Sequence, residues 1–149
     1  MRLSVIGGSV VTEAQYEQAR RVGRLAGERG HEVVCGGLSG VMEAVCEGAS
    51  EAGGHTIGIV PGDDRHGAND YVQTTIATGM GNARNVLVVL NGDAVIAVDG
   101  KSGTLSELGH ALDYGRPVAG LGTHHVEELT GIEHVETPGA ALDYVESVV

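Results

Sequence analysis

The chain contains no Trp and no Phe, and four Tyr are all it has of the large aromatic residues. Its core must therefore be assembled from aliphatic side chains. These are plentiful, since 42% of the 149 residues are hydrophobic, and disorder through shortage of core material is excluded. Lysine is absent but for Lys101, and nine basic residues face twenty acidic ones for a formal charge of −11. With no basic patch and a surface that repels phosphate backbones, no nucleic-acid partner is expected. An acidic, Lys-poor composition fits a halophile's cytosol, where salt screens self-repulsion. It fits an acidic protein from a high-GC genome equally, and both readings stand.

No apolar run approaches the roughly 18 residues of a spanning helix, so no membrane partner is expected. Met1-Arg2-Leu3-Ser4 runs into a Gly-rich turn rather than a leader, and a cytoplasmic location follows as an expectation. Cys35 and Cys46 fit neither a C-x-x-C nor a zinc spacing and read as small buried packing residues, not as a disulfide or a nucleophile. His124-His125 and the Asp63-Asp64-Arg65-His66 segment lack a ligand frame, so no metal is expected. The G-x-G-x-x-G and G-x-x-x-x-G-K-[ST] patterns are also missing. Neither an ordinary dinucleotide dehydrogenase nor a P-loop NTPase is supported.

Glycine is what the chain has in excess: 25 of 149 residues, against a usual share of about 7%. It shows no every-third-residue period, which excludes collagen. Short apolar runs alternate with helix-period segments throughout. Residues 3–6, 32–35, 56–60, 94–98 and 118–121 read as buried strands, with a short sixth at His134-Val135 and an extended piece at 72–77. A Thr12-Glu13-Ala14-Gln15 capping box opens a helix that runs to Arg29. Further helices are expected over 41–52, over 82–90, from the Gly100–Gly103 stretch to Tyr114, and after Thr137-Pro138. Strands alternating with helices predict one α/β domain over residues 1–149, a doubly wound, mostly parallel, Rossmann-like sheet.

The glycines cluster after the first strand (Gly7, Gly8, then Ser9), the second (Gly36, Gly37, Gly40) and the fourth (Gly100, Gly103). In a parallel sheet these turns share one edge, where ligands of open α/β folds bind. Each is expected to open a helix whose unpaired amides favour anions, and glycine lets the backbone approach phosphate oxygens. Three helix N-termini converging on one edge point to a phosphate-bearing ligand. A turn that merely needs a tight bend is the other reading of each cluster.

Three segments resemble a known family. Gly36-Gly37-Leu38-Ser39-Gly40-Val41-Met42-Glu43 is similar to the G-G-x-x-G-x-M element of the Lonely Guy group within the SLOG superfamily. Asp99-Gly100-Lys101-Ser102-Gly103-Thr104-Leu105-Ser106-Glu107 resembles its P-G-G-x-G-T-x-x-E motif, and Met80-Gly81-Asn82-Ala83-Arg84-Asn85 its M-H-x-R-K element. The group includes phosphoribohydrolases that release a base from nucleoside 5′-monophosphates, proteins labelled possible lysine decarboxylases, and molybdenum-cofactor carriers. The short chain looks most like the carrier-type branch. Asp99, Lys101 and Asn85 depart from the family's Pro, second Gly and Lys.

The resemblance implies that Arg84 and Glu107 are a catalytic pair. A carboxylate stabilises an oxocarbenium-like state, and an Arg fork binds phosphate or the departing base. Gly8, Ser9, Gly36, Gly37, Gly40, Gly100, Lys101, Ser102, Gly103 and Thr104 would surround the ligand, with Gly103 and Thr104 giving amides and a hydroxyl to its phosphate. Lys101 either blocks a close backbone approach or adds a cation of its own. Glu107 has a rival role, because Thr104-Leu105-Ser106-Glu107 is itself a T-x-x-E capping box. For Arg84 the rival is a solvated helix face, and for Asp99 a turn cap against a ligand hydroxyl. Residues 62–70, after a strand on the ligand edge, are a candidate lid.

The expected function is binding of a phosphorylated nucleotide-like or pterin-like ligand without turnover, as in a molybdenum-cofactor carrier. No cofactor is required, and bound molybdenum cofactor or nucleotide is the expected cargo. The alternative is a nucleoside 5′-monophosphate phosphoribohydrolase. A DNA-processing relative is opposed by the charge. A core lacking Phe and Trp would gain apolar burial by association, and the resemblance implies a homodimer or homotetramer.

Overall fold

The computed structural model describes residues 1–149. Seven strands form one wholly parallel sheet: β1 (Arg2–Gly7), β2 (Glu32–Cys35), β3 (Thr56–Val60), β4 (Thr74–Ala77), β5 (Ala94–Val98), β6 (Val118–Leu121) and β7 (Ile132–Val135). Their order is β4-β3-β2-β1-β5-β6-β7. Five helices connect and cover them: α1 (Glu13–Glu28), α2 (Val41–Glu51), α3 (Asn85–Leu90), α4 (Ser102–Asp113) and α5 (Pro138–Val148). The chain winds outward from β1 to β4, returns to the other side of β1 as β5, and winds outward again. The direction therefore reverses between β1 and β5, the place where open α/β sheets open a crevice at their carboxyl ends.

Alternation along the strands loads both faces. Leu3 and Val5 of β1, Val33 and Cys35 of β2, and Ala94, Ile96 and Val98 of β5 pack under α1, α2 and α5. Ile6, Val34, Val95 and Ala97 point the other way and pack under α3 and α4 with Val88, Val89, Leu108 and Ala111. The capping box expected at Thr12 is present: Thr12 Oγ1 accepts from the Gln15 amide at 3.2 Å, and Gln15 Oε1 accepts from the Thr12 amide at 2.8 Å.

Two of the glycines serve packing rather than turns. A β-carbon at Gly23 of α1 would overlap the carbonyl oxygen of Val45, and one at Gly48 of α2 would overlap that of Arg20. The two helices thus meet backbone to backbone. Small side chains replace the missing aromatics by bringing elements closer.

Two strands differ from the sequence reading. The extended piece at 72–77 becomes β4, and the sixth strand at His134-Val135 becomes the longer β7, whose Glu133 and His134 are exposed at the sheet edge. The helix expected over 82–90 divides into a 3₁₀ turn, Gly81–Arg84, and α3. No helix is long and apolar enough to cross a membrane.

Candidate functional site

A cleft of about 280 Å³ lies over the β1–β5 reversal. Gly7, Gly8 and Ser9 form its floor, Leu38 and Met42 one wall, and Asn82, Arg84 and Asn85 a second. Lys101, Ser102, Gly103, Thr104 and Glu107 form the third. The three segments that carry the family resemblance, far apart in the chain, meet here.

The third wall is the start of α4. No side chain caps this helix, and the amides of Ser102, Gly103 and Thr104 find no acceptor within the protein. Three donors and the positive end of a twelve-residue helix therefore face the cleft beside the chain's single Lys. The turn before it is sharply bent: Asp99 has φ +51° and Gly100 φ +123°. A β-carbon at Gly100 would overlap the Thr104 side chain, so glycine is required there both by conformation and by space. Three bonds hold the turn from outside. The Asp99 amide donates to Leu121 O at 3.2 Å, Thr123 Oγ1 donates to Asp99 O at 2.7 Å, and His124 Nε2 lies 2.9 Å from Lys101 O.

Arg84 is buried, not solvated on a helix face as its rival reading had it. Its Nε donates to Ile59 O at 2.7 Å and Nη2 to Gly36 O at 3.1 Å, and Nη1 bonds Asn85 Oδ1. The carbonyls at the ends of β2 and β3 thus fix the guanidinium. Burial lowers its pKa below the ordinary Arg value, against the pull of Glu107.

The capping reading of Glu107 fails. Lys101, not Thr104, occupies the cap position, and Thr104 lies within α4 with its own side chain buried. Glu107 instead sits one turn down the helix, 7% exposed, on the cleft side. Burial raises its pKa from 4.5 to about 7, and the Arg84 charge offsets only part of that rise. The cleft therefore holds a carboxyl group that is partly protonated near neutral pH, beside a fixed guanidinium.

Two helix N-termini reach the cleft, not three. α1 begins at Glu13, beyond the Gly8-Ser9 turn, and its Gln15 amide is capped by Thr12. α2 enters through Gly40, but its first amide, that of Val41, already donates to Gly8 O at 3.0 Å. Gly36, Gly37, Gly40 and Gly100 stand behind the lining rather than in it. A β-carbon at Gly36 would lie 2.6 Å from Arg84 Nη2 and 2.7 Å from Met42 Sδ, so this glycine makes room for the wall. Gly37 has φ +75° and packs on Gly58 and Val60, while Gly40 has φ +66° and abuts Gly8 and Ser9. Gly8, Ser9, Lys101, Ser102, Gly103 and Thr104 line the cleft directly.

Residues 62–70 do not line it, and the loop is pinned at Asn69. The Asn69 amide and Nδ2 donate to Gly37 O and Leu38 O, both at 2.8 Å, so the segment braces the cleft wall from behind. Asn82 and Asn85, with Leu38 and Met42, are lining residues that the sequence reading quoted only as parts of motifs. No group of three or more His, Cys, Asp or Glu side chains is placed to hold a metal ion.

The sequence profile of the SLOG cluster4 family matches residues 1–148. An uncharacterized protein of Archaeoglobus fulgidus is 44% identical over 144 residues, 97% of this chain and 93% of its own length. A probable cytokinin riboside 5′-monophosphate phosphoribohydrolase of Oryza sativa subsp. japonica is 32% identical over 123 residues, 80% of this chain but 48% of that longer protein. Among solved structures, the molybdenum cofactor binding protein from Rippkaea orientalis superposes with a TM-score of 0.92 at 34% identity, covering 99% of this chain and 96% of that one. The molybdenum cofactor carrier protein from Chlamydomonas reinhardtii superposes with a TM-score of 0.89 at 31% identity, covering 98% and 96%. The resemblance carried by the three motifs thus extends over the whole fold, and the chain belongs to the SLOG cluster4 family.

Proposed function

We propose that this chain binds a phosphorylated ligand with a flat heterocycle, nucleotide-like or pterin-like, with the molybdenum cofactor as its expected cargo. The observation that carries the reading is the uncapped start of α4. Three amides without acceptors, the Lys101 ammonium and the Thr104 hydroxyl make one anion site on an otherwise acidic surface. These residues suit a single phosphate, whose charge they offset where the rest of the surface repels it. Asn82 and Asn85 offer amide donors and acceptors to a ring edge, and Leu38 and Met42 offer an apolar wall to its face. Support for the pterin class comes from the similarity, along nearly the full chain, to proteins described as binding or carrying molybdenum cofactor.

The test is ligand identification. Protein purified from cells supplied with molybdate is expected to retain molybdenum and a pterin at a common stoichiometry, and Lys101→Ala is expected to lose both. Protein that retains neither, and takes up neither when the cofactor is offered, overturns the cargo reading.

One observation favours a second reading. Glu107 is not a helix cap, and it shares the cleft with Arg84 while free of hydrogen bonds to the protein. A carboxyl group in that position can stabilise the cationic ribose that forms as an N-glycosidic bond breaks, while Arg84 steadies the leaving base or phosphate. The 32% identity to a probable phosphoribohydrolase supports the same chemistry. Incubation with AMP and other nucleoside monophosphates, followed by assay of free base, separates the two. Release that vanishes in Glu107→Ala establishes turnover, and the absence of release leaves binding.

A further inference from the structure

Cys35, at the end of β2, and Cys46, in the middle of α2, are fully buried, and their sulfur atoms lie 3.5 Å apart. They are the only cysteines in the chain, and both are free thiols. Cys35 precedes Gly36, whose carbonyl holds Arg84, and its thiol donates to the carbonyl oxygen of Met42, a residue of the cleft wall, at 3.8 Å. The pair thus sits one residue layer beneath the cleft.

The two sulfurs are not equivalent. The Gly37 amide donates to Cys35 Sγ at 3.3 Å, the Cys46 sulfur lies 3.5 Å from the same atom with either thiol able to donate, and the Arg84 charge acts on it. Together they lower the Cys35 pKa, led by the bond with Cys46, against burial and the Glu107 charge, which raise it. The Cys46 thiol is pushed up, first by its bond to Cys35 and then by burial.

We propose that Cys35 and Cys46 are an oxidisable dithiol that hydrogen peroxide converts to an intramolecular disulfide. The Cys35 thiolate attacks one peroxide oxygen. The O–O bond breaks, hydroxide leaves, and the sulfur becomes a sulfenic acid. The Cys46 thiol then attacks the Cys35 sulfur and gives up its proton, the S–O bond breaks, and the second hydroxide leaves. With the two thiol protons the products are two waters and one S–S bond, and two electrons pass from the sulfurs to the peroxide. The sulfurs must close from 3.5 Å to about 2.05 Å. The bridge would clamp the segment from Gly36 to Val45, which carries the Arg84-holding carbonyl together with Leu38 and Met42. This inference is independent of which ligand the cleft binds.

The experiment treats the full-length protein with hydrogen peroxide and follows intact mass, thiol content and peptide maps. The expected result is loss of two hydrogen atoms per chain, a Cys35–Cys46 linked peptide, and reversal by dithiothreitol. In Cys46→Ser, which lacks the second thiol, dimedone is expected to trap a sulfenic acid on Cys35. In Cys35→Ser no adduct is expected. The proposal is overturned if the wild type keeps both thiols at peroxide levels that fully oxidise glutathione, or if the linkage forms between chains. It is equally overturned if dimedone labels Cys46 in Cys35→Ser as readily as Cys35 in Cys46→Ser. The wild-type measurement stands even if a Ser variant folds poorly.

Discussion

Replacing Glu107 by Gln should make the protein more stable above neutral pH, by an amount set by the burial of one carboxylate. Glu107 is 7% exposed, and its pKa rises from 4.5 to about 7 in the folded chain. For an acid whose folded pKa is raised, the fold prefers the protonated form. Below pH 4.5 both states carry the proton and Glu107 costs nothing. As pH rises from 4.5 to about 7 the unfolded chain releases its proton while the folded chain resists, so stability falls, and above 7 the loss is constant. At about 1.4 kcal/mol per pKa unit, the full difference is about 3 kcal/mol. The net value already contains the favourable pull of Arg84, which offsets part of the desolvation.

Glutamine keeps the size and cannot ionise. Urea unfolding of wild type and Glu107→Gln at pH 5, 6, 7 and 8 should give midpoints that nearly coincide at the acid end and separate steadily toward pH 8, the variant being the more stable. In a chain of this length about 3 kcal/mol corresponds to a rise of roughly 6–12 °C in melting temperature. Curves that stay parallel across the range, or a variant that is less stable at pH 8, would refute the reasoning. Glu107 would then be an ordinary ionised partner of Arg84. Stability given up at one buried carboxyl is the pattern expected where a side chain is kept for function.

Other perturbations test the frame. Gly48→Ala should lose about 1–3 kcal/mol by urea unfolding, because its methyl group overlaps the Arg20 carbonyl; an unchanged midpoint would mean that α1 and α2 separate at little cost. Leu108→Ala, fully buried beneath α4, should lose about 2–5 kcal/mol by calorimetry, and a loss within error would place it outside the core. Thr123→Val removes the hydroxyl that donates to Asp99 O and should destabilise the fold by about 1–3 kcal/mol. It should also weaken binding of inorganic phosphate at the start of α4. Thr123→Ser should restore both, and failure of that rescue would assign the effect to packing of the methyl group.

Much of the frame was legible because the strand signals are local. Ala94–Val98 is a run of five fully buried apolar residues between polar turns, and such a run has few other uses in a chain of this length. β7 was harder to read because its central Glu133 and His134 are exposed, and only its ends, Ile132 and Val135, are partly buried against the two faces of the core. The division of 82–90 into a 3₁₀ turn and α3 falls at Arg84, whose side chain is pulled onto the carbonyls of Ile59 and Gly36, 25 and 48 residues distant in sequence. No local pattern contains that pull. The same holds for Glu107. T-x-x-E is a capping box when Thr stands at the cap position, and here the turn at Asp99 and Gly100 moves the helix start to Ser102, placing Thr104 and Glu107 inside. The bend that decides between cap and cleft is held by Leu121 and Thr123, from another strand's end.

The scarcity of large side chains and the abundance of glycine are linked through close approach. With no Phe or Trp to fill wide gaps, elements must come near enough for Val and Ala to touch, and Gly23 and Gly48 let α1 and α2 do so. Gly7 does the same where β1 passes Val98 and Val41, and the consequence reaches the cleft. A tight meeting of β1, β5 and α2 leaves the carbonyl of Gly8 on the first amide of α2, so that helix end is already partly satisfied. α4 has no such neighbour, and its amides stay open beside Lys101. Anion affinity in this fold is therefore set by which helix start the packing leaves without a partner, and glycine content alone would have counted both the same.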